Sequence, residues 1–438
     1  MRSLLRRHGP VAVVLLLAAA LRVAVDWVRG PAVYQDSAIY LDLSEEAPFS
    51  FSPSRPNGYP VILRILFLAG RNADIVSAAQ HVAGLAVGVL VYALLVRLGT
   101  RRWLATAVAA VIVFDAYGVA LEQDVLTETF FTLALVASAY LMVATKRRPV
   151  ELAASGALLA AATTMRVAGI FALLFWIAYV LWLRPGLRVA VLSVLAAIVP
   201  VLAYCGFHAA HDRGFALTAG DGWYLYGKVG PIVDCSGARI PEETRPLCRG
   251  PRGLKPEHYL YDRNSPAQVL FFGPSEPVDL EKGWTRHNSR LLRSFSMGII
   301  RAHPVEYARV MFRDFYRYFG PNPPSVEMTL YGGPGAPLHF YERWFRLPWW
   351  LLTVATLTAV ASLFLPRASR TREVAFLAGV GLVLVLGIAA SAAFNPRYLV
   401  PVAPLLLAAG ALGLEDFVAT RRPPARTETT PSEEVGAG

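Results

Sequence analysis

The chain has 438 residues, of which 55% are hydrophobic and 17% charged, with a net charge of +11. Soluble domains carry about 25% charged residues, so this deficit excludes an ordinary soluble enzyme. The excess of Lys and Arg invites a nucleic-acid partner. However, the basic residues form short clusters between apolar runs rather than one face, and no nucleic-acid role is read from them.

Apolar runs recur at 11–20, 82–96, 103–114, 130–144, 189–204, 349–365, 375–393 and 399–414. With their flanks, most approach the roughly 20 residues that cross a hydrocarbon core. Basic residues in short loops stay cytoplasmic. Arg2/Arg6/Arg7, Arg97/Arg101/Arg102, Lys146/Arg147/Arg148, Arg184/Arg188, Arg367/Arg370/Arg372 and Arg421/Arg422/Arg426 therefore mark the inner face. Two crossings in each of the five intervals make about ten transmembrane helices with both termini inside. The expected class is an all-α polytopic membrane protein with one large extracytoplasmic loop domain.

In chain order, a first helix covers about 10–28. Arg2, Arg6 and Arg7 ahead of Ala18-Ala19-Ala20 also allow a cleaved signal peptide, which leaves the next segment outside in either case. A first external loop, 30–73, carries turn signals and an amphipathic stretch at 61–68 too short to span. Helices follow at about 75–96, 103–117 and 125–144. Residues 150–183 must hold two short helices meeting outside near 164–166. A seventh helix at about 189–207 completes an N-terminal module, 1–207. Residues 208–345 form an external domain rich in Gly, Pro, Trp and Tyr, with helical spacing at Leu291, Leu292, Phe295, Ile299 and Ile300. Helices 8–10 lie in 346–418, and 419–438 is a polar tail expected to be disordered. Cys205 falls in an apolar run. Cys235 and Cys248 lie in the external region, where a disulfide between them is expected and two free thiols are the alternative.

Two motif-like stretches carry little. Gly222–Lys228, GWYLYGK, has Walker A spacing, but Val229 stands where Ser or Thr should bind magnesium. His208, His211 and Asp212 have the helical spacing of metal ligands, although histidines at a membrane boundary more often sit there for interfacial reasons.

The depth of the polar residues says more. Asp36 follows the first helix. Asp115, Glu122, Asp124 and Glu128 crowd the outer turn between helices 3 and 4, Arg166 lies at the turn of helices 5 and 6, and Arg397 at the outer end of helix 10. Ionised groups at helix rims cost energy and mark function. Singly, each has a plainer role: Asp124 and Glu128 at a helix N-terminus, Arg166 and Arg397 as headgroup anchors, Asp36 as an N-cap. Together, arginines and carboxylates at one depth suit a lipid-linked phosphate. Arg22 and Asp26, one turn apart, are expected to pair with each other.

The stretch Tyr34-Gln35-Asp36-Ser37-Ala38-Ile39-Tyr40 resembles the first external loop of the GT-C superfamily of glycosyltransferases. Arg55-Pro56-Asn57-Gly58-Tyr59-Pro60, Leu126-Thr127-Glu128-Thr129 and Asn395-Pro396-Arg397-Tyr398-Leu399-Val400-Pro401 resemble later motifs of it. The protein O-mannosyltransferase and lipid A aminoarabinose transferase branch, with its bacterial polyprenyl-phosphate-dependent members, is the most similar. The resemblance covers about 10–210 and 345–415. It implies transfer of a sugar from a polyprenyl-phosphate donor to a protein, lipid or glycan acceptor at the outer face of the plasma membrane, with inversion. It places the catalytic acid on Asp36 and the second acid on Glu128. Many members carry two adjacent acids in the first loop. Ser37 here departs from that pattern, which leaves a divalent metal and the partner of Asp36 open.

The chemistry asks for a carboxylate to take the acceptor proton and cations to hold the leaving phosphate. Arginine suits the second task through its planar fork. Arg397 is the better phosphate ligand and Arg166 the reserve. The rival readings are a flippase or transporter of lipid-linked sugars, which needs polar residues along its whole path, and a non-catalytic cell-envelope assembly protein, which would tolerate loss of Asp36.

Overall fold

The computed structural model describes residues 2–33, 35–48, 52–211, 214–250, 253–262, 264–273, 285–320, 338–366 and 368–421. Asp212, Tyr34 and most of the tail lie outside these residues. Among the described residues there are α-helices, short 3-10 turns and a single isolated bridge, Ala32 to Asp124.

Each stretch expected to be an apolar helix is helical: α1 (Arg2–Arg29), α4 (Ala73–Arg97), α5 (Arg102–Val113) continued by α6 (Ala116–Gln123), α7 (Glu128–Val143), α8 (Pro149–Met165), α9 (Gly169–Leu183), α10 (Leu187–Ala210), α17 (Trp349–Ser362), α18 (Thr371–Ser391) and α19 (Ala403–Thr420). Residues 30–73, expected to be a loop, supply α2 (Gln35–Glu46) and α3 (Gly58–Leu66). Between α10 and α17 lie α11 (Asp221–Val229), α12 (Pro256–Tyr261), α13 (Pro266–Phe272), α14 (Arg286–Ala302), α15 (Pro304–Arg317) and α16 (His339–Phe345).

Among the described residues, length and apolarity qualify five helices to cross a membrane, namely α1, α4, α10, α18 and α19, or six if the bent pair α5 and α6 is one span. This is fewer than the ten expected crossings. Helix α5 breaks at Asp115 with a 48° bend. Helices α7, α8 and α9 are apolar but only 16, 17 and 15 residues long, below the roughly 20 that fill a 30 Å core.

The apolar helices share one core, centred on residues such as Leu94, Val136, Trp176, Leu377 and Leu406. At one end the basic clusters are tied together. Arg147 donates to Glu373 at 2.7 Å, Arg370 to Asp416 at 2.9 Å, and Arg370 also to the Leu98 carbonyl at 2.7 Å. Residues between α10 and α17 build a second core around Trp223, Tyr226, Tyr259, Leu292 and Phe295. Cys235 and Cys248 are joined there by a disulfide, 13 residues apart.

Arg22 does not pair with Asp26. It reaches across to Glu122 on α6 through two hydrogen bonds of 2.7 Å, and to the carbonyls of Ala18 and Val113. A carboxylate buried at that depth needs a full counter-charge, and Asp26 already accepts from Ser77 and Gln123. Gly84 on α4 makes the room, since a Cβ there would stand 1.8 Å from Glu122 Oε1, a group also held by His81 at 2.8 Å.

Gly84→Ala is therefore expected to cost about 1–3 kcal/mol through overpacking. Gly206→Ala, where a Cβ meets open space, should cost nothing. Thermal unfolding of the two detergent-purified variants against the parent protein checks this.

Candidate active site

The bridge between Ala32 and Asp124 brings two chain segments together. Ala32 donates to the Gln123 carbonyl at 3.1 Å and Val125 donates back to the Ala32 carbonyl at 3.1 Å. This pairing sets the start of α2 beside the start of α7, and with them Asp36 and Glu128. Asp36 lies within the first turn of α2 rather than capping it. Glu128 is the first residue of α7.

Three arginines converge on these carboxylates. Arg55 donates to Asp36 Oδ1 at 2.5 Å and Arg397 to Asp36 Oδ2 at 2.9 Å. Arg166 donates to Glu128 Oε1 at 2.6 Å and to the Thr127 hydroxyl at 2.6 Å, while Arg397 Nε stands 3.4 Å from Glu128 Oε1. Each arginine is placed by local backbone. Arg166 caps the C-terminus of α8 in extended conformation. Arg397 sits in the 3-10 turn Pro396–Leu399, where the Asn395 side chain accepts from its backbone N–H at 3.0 Å. Arg55 lies just ahead of α3, whose Gly58 packs directly on Thr164 at the end of α8, where a Cβ would come within 2.6 Å. The Tyr398 ring lies 4.9 Å from the Arg166 guanidinium and 5.8 Å from that of Arg397, a cation–π arrangement.

The cluster holds three guanidinium groups against two carboxylates, a surplus of one positive charge. Glu128 is closed off, with 1% of its side chain exposed, whereas Asp36 and Arg397 keep 21% and 24%. An incoming group therefore meets Asp36 and Arg397 first. Burial alone would raise the Asp36 carboxyl, but Arg55 and Arg397 outweigh it and hold the group well below the usual carboxylate range.

Beside the cluster a cavity of about 460 Å³ is lined mainly by apolar residues such as Val87, Val111, Leu399 and Leu407, with the charged Asp115, Glu122, Arg343 and Arg346 also on its wall. It reaches Thr129 and Pro396, the chain neighbours of Glu128 and Arg397. The hydroxyl of Tyr117, on its wall, is buried without a hydrogen-bond partner.

Asp36, Glu128, Arg166 and Arg397, expected from the sequence, all meet here. The other carboxylates expected at an outer turn do not, and residues 116–123 of that expected turn form helix α6. Asp115 caps α6 and accepts from the Leu347 N–H at 2.7 Å, Glu122 holds Arg22, and Asp124 accepts from Arg29 at 2.9 Å. Arg55 was inside a quoted motif but unassigned. Tyr224, whose hydroxyl accepts a hydrogen bond from Arg55, lies far away in sequence and carried no signal. His208 and His211 turn to the carbonyls of Gly214 and Phe207.

A divalent metal does not suit this donor set. Asp36 and Glu128 each face guanidinium groups, and among the described residues no three His, Cys, Asp or Glu stand together as ligands.

No protein-family model matches the chain, and no curated protein matches it. Among solved structures it is similar to the oligosaccharyltransferase of Archaeoglobus fulgidus in the apo form, at 12% identity and a TM-score of 0.45 over 94% of this chain and 51% of that one. The oligosaccharyltransferase AglB of the same organism, in complex with an inhibitory peptide and a dolichol-phosphate, gives 12% identity and 0.41 over 94% and 50%. ArnT from Cupriavidus metallidurans, bound to undecaprenyl phosphate, gives 14% identity and 0.37 over 93% and 78%. The chain thus spans about half the length of the two archaeal proteins.

Removing one partner of a buried ion pair costs about 3–5 kcal/mol, so Glu128→Gln should lower the unfolding midpoint more than Asp36→Asn, whose site is partly open. The folded Asp36 carboxyl lies below its unfolded value near 4. Its pairing is then present in full above about pH 4 and lost only as pH falls through the folded value. The deficit of Asp36→Asn should accordingly be equal at about pH 5 and pH 8, which thermal melts at the two pH values measure.

Proposed function

We propose that this protein is a multi-pass plasma-membrane glycosyltransferase that moves a sugar from a polyprenyl-phosphate donor to an acceptor on the extracytoplasmic face. In this reading residues 30–73 are a catalytic first loop, 208–345 an extracytoplasmic domain, and the short helices α7 to α9 complete about ten spans. The observation that carries it is the cluster with three guanidinium groups to two carboxylates, set beside a mainly apolar cavity. A surplus of arginine in a partly buried site is a seat for a phosphate. The adjoining cavity suits the isoprenoid part of the same molecule.

In the reaction, the acceptor oxygen bonds to the anomeric carbon as the bond from that carbon to the phosphate oxygen breaks. The electron pair leaves on the polyprenyl phosphate, the acceptor proton passes to Asp36, and one displacement inverts the configuration. At rest Asp36 is a poor base, because two arginines stabilise its anion. Arg397, the more open of the two, can turn its fork to the donor phosphate. Losing that partner raises the proton affinity of Asp36 when the donor is present. Arg166 stays on Glu128, which keeps the second cation in place for the charge that develops on the leaving phosphate.

Two outcomes follow. Asp36→Asn should bind undecaprenyl phosphate as the parent does but transfer sugar about 10²–10⁴-fold more slowly. Transfer assays with purified protein and a polyprenyl-phosphate sugar test this, and a rate within a few-fold of the parent would sink the mechanism. Reporter fusions near Arg101, Arg147, Gly186 and Ser369 should read as cytoplasmic and one at Gly250 as external. An external signal at any of the first four would remove the site from the outer face.

A further inference from the structure

The segment Gly222–Lys228 owes its glycines to packing, and its two polar ends join the external residues to the cluster. A Cβ at Gly222 would fall 1.8 Å from the Ser289 carbonyl oxygen of α14, and one at Gly227 would fall 2.5 Å from Leu260 of α12. Helix α11 is thereby pressed against both neighbours. The Gly222 N–H also donates to the Ser289 hydroxyl at 2.9 Å. On the remaining face, Tyr224 and Lys228 stand one turn apart, at the i, i+4 spacing that points both the same way.

Lys228 is fully buried and donates to Asp314 Oδ2 on α15 at 2.5 Å, with Asp314 itself 1% exposed. Arg313 and Arg317 stand 3.6 and 3.7 Å from the other oxygen of Asp314, beyond hydrogen-bond distance, so Lys228 is the group that holds this carboxylate among the described residues. Helix α15 is in turn tied to α18, where the Tyr307 hydroxyl donates to the Ala390 carbonyl at 2.5 Å. At the other end of α11, the Tyr224 hydroxyl accepts from Arg55 Nη1, while Arg55 Nη2 holds Asp36. Burial raises the Tyr224 phenol above its ordinary value, which keeps the hydroxyl neutral. A neutral acceptor can orient Arg55 without competing as an anion for its charge.

We propose that Tyr224 is a positioning residue that aims Arg55, and through it Asp36, and that the buried Lys228–Asp314 pair locks α11 in the register this requires. An arginine alone has many rotamers. Held at one nitrogen by Tyr224 and at the other by Asp36, it presents the carboxylate in one orientation before the acceptor arrives. Arg397 and Arg166, assigned to the donor phosphate, are held by Asp36 and Glu128, whereas Tyr224 holds Arg55. Loss of the tyrosine hydroxyl should therefore slow transfer and spare donor binding.

The inference rests on the glycosyltransferase reading for its kinetic arm only. Tyr224→Phe is expected to lower kcat about 5–20-fold, the scale of one orienting hydrogen bond, with the donor KM within about twofold. The neutral pair Lys228→Met with Asp314→Asn avoids a stranded buried charge and should show the same split. The second arm needs no turnover: purified protein is labelled with phenylglyoxal and Arg55 is read by peptide mass spectrometry. Arg55 should react several-fold faster in Tyr224→Phe than in the parent. Unchanged labelling and unchanged kcat would overturn the proposal. So would a fall in thermal midpoint with kcat per folded molecule intact, which is what a merely structural tyrosine gives. A folded neutral-pair variant with parental kcat and labelling would overturn the lock. If the parent transfers no sugar, the glycosyltransferase reading fails, and the labelling still decides the role of Tyr224.

Discussion

The Glu128 carboxylate, buried at the head of an apolar helix, is the charge around which the rest of the molecule is arranged. An ionised group in that position is tolerable only with a counter-charge and good hydrogen bonds. The neighbouring Thr127 hydroxyl donates to its Oε2 at 3.4 Å, but no residue near it in sequence can supply the counter-charge. The counter-charges come from the end of α8 and from the 3-10 turn before α19, so Arg166 and Arg397 must be delivered from distant parts of the chain. Arg397 is then shared with Asp36, and Asp36 with Arg55, which draws α2 and the approach to α3 into the same knot. The Ala32–Asp124 bridge and the close seat of Gly58 on Thr164 are the backbone contacts that let this happen.

Much of the architecture was legible in the sequence because apolar run length and basic clusters report on lipid and its two faces. Every expected apolar stretch is helical, and the break near Arg166 falls where charge parity required one. The number of crossings was less legible. A hydropathy run does not reveal a kink such as that at Asp115, which arises because its side chain caps α6 and binds the Leu347 N–H of a distant segment. At the site, the convergence of Asp36, Glu128, Arg166 and Arg397 was readable because all four fall at the ends of apolar runs away from the basic clusters. Who pairs with whom was not readable, since a pairing such as Arg22 with Glu122 depends on a missing side chain at Gly84. Tyr224 was invisible for the same reason: nothing in its surroundings announces that it meets Arg55.

Resemblance to a nucleotide-binding loop in Gly222–Lys228 shows how one spacing can serve two physical needs. In a phosphate loop, glycines expose backbone N–H groups to a ligand. Here the glycines let α11 press on the backbone of α14 at Ser289 and on the Leu260 side chain of α12, and the lysine faces a carboxylate from within the protein. The context after the lysine distinguished the two, because Val229 offers no hydroxyl.

The brevity of α7, α8 and α9 has a consequence for the surrounding lipid. At about 1.5 Å per residue, helices of 15 to 17 residues reach roughly 23–26 Å, short of a 30 Å hydrocarbon core. On the membrane reading, such hydrophobic mismatch is relieved by thinning the adjacent leaflets. Glu128 begins α7 and Arg166 ends α8, so a local dimple in the bilayer would bring the headgroup plane down to the level of these two residues. A lipid-linked phosphate diffusing in that leaflet would then reach the arginines without being lifted out of the membrane.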